Sequence, residues 1–138
     1  MPMGFEYGFR RRLDVVETRP QDWETPQWEL SDFITKVNAL KAARRVFNEE
    51  GPIDLIEVGN PQICTLVKWS RDRSERAVLV LNKDRQHPQS CNLAPIGSTL
   101  SGTRQAQDVS LEGQLEHSPD FQTCRLKPSG CHVIYATL

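Results

Sequence analysis

Acid–base catalysis needs two carboxyl groups that converge on one substrate. The adjacent Glu49-Glu50 pair does not converge, because neighbours on a helix project about 100° apart. It reads as a solvated helix end. The three histidines, His87, His117 and His132, each fall near a turn or strand end without an evident partner. Each reads as a surface or edge residue. The four cysteines, Cys64, Cys91, Cys124 and Cys131, include no short pair of the kind zinc and redox sites use. Cys64 and Cys124 sit in apolar alternating runs, where a thiol behaves as a small hydrophobe. Neither a metal site nor disulfides are expected. No Gly-x-Ser-x-Gly, phosphate-cradling loop or His-Glu-x-x-His occurs. The residues therefore name no catalytic group and no cofactor. Asn82 ends the most apolar run and is expected to satisfy backbone groups there.

Two aromatic residues carry a different chemistry. An exposed Trp or Tyr on a β-sheet can stack on the apolar C–H face of a sugar ring, and Trp69 and Tyr135 are the candidates. The competing reading places both in a core or an interface, where large aromatics usually lie.

The elements that must position these groups follow from composition and periodicity. The chain has 138 residues and a formal net charge of −1, enough for one domain with its own core. Charges of both signs are interspersed. Even Arg10-Arg11-Arg12 is followed closely by Asp14, Glu17, Asp22 and Glu24, so nucleic acid is not an expected partner. No apolar run approaches the ~20 residues of a membrane span, and the N-terminus lacks a signal-peptide pattern. A soluble, cytoplasmic protein is the expectation.

Residues 1–30 show no sustained period, and Trp23 and Trp28 stand among prolines and charges. This segment is expected to be poorly ordered. Phe33, Ile34, Val37, Leu40 and Phe47 fall at helical spacing. Ser31 offers an N-cap and Gly51-Pro52 a stop, so a helix is expected over Asp32–Asn48 with its apolar face buried. From Ile53 the pattern turns to short β runs: Asp54–Val58, Ile63–Ser70, Ala77–Asn82, Ser90–Ala94, Val109–Leu111, Gln122–Leu126 and His132–Ala136. Ala77–Asn82 is apolar throughout, as a central strand is. Arg71–Ser74 reads as a hairpin loop, and Lys127-Pro128-Ser129-Gly130 as a second. The expected fold is mainly β, an antiparallel sandwich over 53–138 with no intervening helix, preceded by one helix (31–50) and the N-terminal segment.

Three segments in order resemble the C-terminal part of the alpha-amylase family of glycoside hydrolases. Met1–Gly8 (MPMGFEYG) is similar to the end of the family's eighth barrel strand and its loop. Leu30–Phe47, with Val37-Asn38-Ala39-Leu40-Lys41, looks like its final barrel helix. Ala77–Asp84 (AVLVLNKD) is similar to a strand of the sandwich that follows the barrel, and the last Pro-Ser-Gly turn resembles the close of that domain. The Asp22-Trp23-Glu24 loop and long connector look most like the maltosyltransferases that extend α-glucan from maltose 1-phosphate.

The resemblance implies that the catalytic carboxylates belong to earlier barrel strands that would precede Met1. The chain itself would carry no catalysis. Glu6 and Tyr7 would line the cleft of the parent enzyme, and the partner would be the missing catalytic barrel, together with α-glucan or a maltooligosaccharide. Three readings result: an accessory sandwich that steadies the barrel, a carbohydrate-binding module acting through Trp69, and a protein-interaction module with an N-terminal docking tail.

Overall fold

The structure, a computed structural model, describes residues 4–14, 16–111, 113–117 and 122–138, with the side chain of His117 left aside. Met1–Met3, the start of the expected strand end, lie outside the described residues. The chain divides into two compact units, residues 1–40 and 41–138.

In the first unit Phe5–Tyr7 form a 3-10 turn within the glycine-bounded loop. Gly4 and Gly8 flank it with φ of 82° and 71°, a left-handed geometry that closes the loop and ends any extended run. A second 3-10 turn spans Pro20–Asp22. The segment is then drawn together by Gln27 and Leu30, whose amides donate to the carbonyls of Tyr7 and Glu6.

Helix α1 covers Ser31–Ala42, six residues short of the expected end. The Asn48 carboxamide explains the early stop. Its Nδ2 donates to the carbonyls of Lys41 and Arg44, taking up acceptors that a helix terminus leaves open. The chain continues as a 3-10 turn, Arg45–Phe47, which buries Val46 against the sheet. No residue of α1 is buried, and Phe33 and Val37 are exposed, contrary to the covered face the periodicity suggests.

The second unit is a two-sheet antiparallel sandwich. Its strands are β1 (Ile53–Leu55), β2 (Ile63–Trp69), β3 (Glu75–Asn82), β4 (Gln89–Asn92), β5 (Gln105–Asp108), β6 (Glu116–His117), β7 (Thr123–Leu126) and β8 (Cys131–Thr137). One sheet is five-stranded, ordered β1-β2-β3-β8-β5, and the other three-stranded, ordered β4-β7-β6. The apolar run of β3 is central, paired with β2 on one side and β8 on the other.

Ile63, Val67, Val78 and Val80 of the larger sheet meet Cys91, Cys124 and Leu126 of the smaller one in the core. The alternation of β2 decides this: Ile63, Thr65 and Val67 are buried, and the residues between them are less so. The loop between β2 and β3 is the expected hairpin. Ser70 Oγ and the Ser74 amide and hydroxyl all donate to Asp72 Oδ1, an arrangement that holds a tight polar turn.

Three expectations are corrected. A helix does intervene: α2, Ala94–Leu100, with Ile96 in the core and Leu93 and Leu100 packed on it. The expected strand at Val109–Leu111 lies instead at Gln105–Asp108, because the Asp108 carboxylate accepts from the amides of Ser110 and Leu115 and bends the chain out of the sheet. The turn Lys127–Gly130 does not close a hairpin. Strand β7 pairs with β4 and β6, and β8 with β3 and β5, so this turn carries the chain from one sheet to the other.

Candidate functional site

Glu6 and Tyr7 lie in the first 3-10 turn, and their carbonyls fix it to Leu30 and Gln27. The Tyr7 ring stacks on Trp23, with centroids 6.2 Å apart and planes 28° apart. It also packs on Phe9 at 5.5 Å. The Trp28 indole Nε1 donates to the Phe5 carbonyl, and a Cβ at Gly8 would strike the Trp28 ring. Glu24 Oε2 accepts from the backbone amides of both Arg10 and Arg11. The Arg11 bond contributes most to holding the Glu24 carboxyl below its usual range. These contacts leave Phe5, Trp23 and Trp28 each about half exposed (48%, 50% and 49%) on one small unit. Such a surface can bury apolar area against something else.

Trp69 lies on the core face of β2 and packs, partly buried, against the central cluster. Tyr135 lies on β8 opposite Ala77 and Gln107. The Arg44 guanidinium carbon sits 4.9 Å above its ring, within cation–π range. Burial, with the charge and hydrogen bond of Glu75, raises the Tyr135 phenol above its usual value. The structure does not bring Trp69 and Tyr135 together, since Tyr135 aligns through Ala77 with Lys68, on the other face of the sheet from Trp69.

His87 is exposed and meets Asp84 at 3.2 Å. His132 departs from the surface reading. It is only 8% exposed, because β8 runs between β3 and β5. Its Nδ1 stands 3.8 Å from Asp108 Oδ2, beyond hydrogen-bond length. Ser110 Oγ donates to Asp108 and not to the imidazole, and itself accepts from the Val133 amide. Asp108 and Ser110 therefore bind a bend, and the buried His132 Nδ1 has no hydrogen-bond partner among the described residues, so the three do not form a nucleophile–base pair. Asp108 also lines a cleft of about 410 Å³, together with Leu93, Ile96, Leu100, Leu115 and Ile134. Sequence reasoning did not single out Asp108 and Ser110. The available signal was their Asx-type spacing just after a polar run.

Among the described residues no group of three or more His, Cys, Asp or Glu side chains is placed to hold a metal ion. No helix of the described residues is long and apolar enough to cross a membrane. No known protein-family model matches the chain, and comparison with curated proteins gives no match.

Proposed function

We propose that this chain is a non-catalytic C-terminal accessory region of an alpha-amylase-type enzyme acting on α-glucans, and that it serves to cover and steady a catalytic barrel. The observation that carries this reading is the apolar surface of the N-terminal unit: Phe5, Trp23, Trp28, Phe33 and Val37 are between 37% and 50% exposed. Concentrated exposed aromatics mark contact surfaces. The order of the MPMGFEYG, helix and AVLVLN segments supplies the kind of partner. The place of AVLVLN as the central strand of the larger sheet is compatible with its counterpart in the family's sandwich.

The test has two parts. The reading frame upstream of Met1 is expected to encode a β/α barrel, and a frame without one would overturn the proposal. In an amide-resolved NMR spectrum, maltohexaose is expected to leave the signals of Trp69 and Tyr135 in place. Clustered shifts there would make the chain a glucan-binding module instead. Trp69→Ala separates the same readings. As a core contact it costs about 2–4 kcal/mol of stability in a urea melt. As a sugar platform it would leave the melt unchanged and abolish glucan binding.

A further inference from the structure

Cys91 and Cys124 occupy facing positions on β4 and β7. Their sulfurs are 3.2 Å apart, closer than two sulfurs rest when unbonded, and a disulfide would require a closure of only about 1.2 Å. We propose that these two residues are a dithiol site that hydrogen peroxide converts to a cross-strand disulfide within the smaller sheet.

The chemistry needs no group beyond the peroxide. One of the two sulfurs, as thiolate, attacks a peroxide oxygen: the S–O bond forms, the O–O bond breaks, and the departing hydroxide takes a proton to leave as water. The second sulfur then attacks the first. The S–S bond forms, the S–O bond breaks, and the second thiol's proton leaves with the hydroxide as a second water. Two thiols are oxidised and one hydrogen peroxide is reduced.

Three features of the site favour this course. The two thiols share a hydrogen bond in which either can donate, so whichever sulfur gives up its proton is held as thiolate by the other's S–H. Both residues are nearly buried, at 4% and 2% exposure. Yet β4 is the outer strand of its sheet, and a peroxide is little larger than water, so a local opening of β4 admits it. The pairing is also selective. Cys64 and Cys131 face Leu81 from opposite sides of β3. Two strand spacings separate them, about 9–10 Å, beyond the reach of a disulfide.

The inference is independent of any role in glucan metabolism. The full chain is treated with hydrogen peroxide under native conditions, alkylated after denaturation, and mapped by non-reducing peptide mass spectrometry. The expected product is a single linkage, Cys91 to Cys124, with a raised thermal midpoint that reductant restores. Recovery of both residues as alkylated thiols overturns the proposal, and so does linkage through Cys64 or Cys131. The Cys124→Ser variant is expected to yield no linkage and a midpoint that peroxide leaves unchanged. Should that variant fail to fold, the wild-type map decides alone.

Discussion

Asn82 shows how one side chain can carry a fold decision. It is 1% exposed. Its Nδ2 donates to the carbonyls of His87 and Lys127, and its Oδ1 accepts from the Asp84 amide. One carboxamide therefore joins the end of β3 to the turn at Asp84–His87 and to the corner at Lys127–Gly130, where the chain changes sheets. The role expected at a strand end, local backbone satisfaction, is what the structure displays, but the reach to Lys127 is not local. Asn82→Ala leaves these buried groups unpaired, at about 2–4 kcal/mol. Urea unfolding by circular dichroism measures it, and a loss below ~0.5 kcal/mol would mean that water replaces the carboxamide without penalty. Asn82 was legible because its position after five apolar residues is a sequence fact. The burial of His132 was not, because it depends on β5 covering the outer side of β8, a pairing between segments more than 20 residues apart.

At the scale of elements, the joint between Gly51 and Trp69 leaves no room for a side chain. The Trp69 amide donates to the Pro52 carbonyl at 3.0 Å and aligns β1 with β2. A Cβ at Gly51 would fall on the Trp69 carbonyl oxygen, and backbone cannot swing aside as a side chain can. Gly51→Ala is therefore expected to cost about 1–3 kcal/mol and to speed amide exchange in β1 before β3. Uniform exchange across the larger sheet would contradict this. The elements that sequence reading recovered are those whose information is local: the alternation of β2, the apolar run of β3, the Asp72 turn. Helix α2 escaped because Pro95 and Gly97 fall within a seven-residue helix, so breaker residues outweigh the Leu93, Ile96, Leu100 spacing. Strand β7 was found but misassigned in its pairing. A Pro/Gly turn beside two apolar runs fits both a hairpin and a corner, and the choice lies with β4, which claims β7 from across the smaller sheet.

The molecule as a whole should respond to acid more than its near-neutral net charge of −1 suggests. Six described carboxylates, Asp14, Glu24, Glu29, Glu49, Asp72 and Asp84, are held below their ordinary values by hydrogen bonds that exist only in the fold. A carboxylate with a depressed folded pKa binds fewer protons folded than unfolded, so its contribution is present above the unfolded value and is lost as pH falls. For Asp84 the window runs from 3.8 down to about 2, set by the amides of Gln86 and His87 and then by Gln89. Tyr135 acts in the opposite direction. Burial, then Glu75, raises its phenol from 10, so its contribution is complete below the unfolded value and fades as pH rises through the folded one. Thermal midpoints are therefore expected to form a plateau through neutral pH, with a fall beginning near the ordinary carboxylate values and a shallower fall above pH 10. All six carboxylates are exposed to solvent screening, so added salt should flatten the part of the acid limb that comes from Arg45 with Glu49 and Asp72. It should spare the part that comes from backbone amides. Asp84→Asn isolates the latter. The variant is expected to melt lower at neutral pH and to lose less on acidification than the parent chain, and parallel acid limbs for the two proteins would remove Asp84 from the explanation.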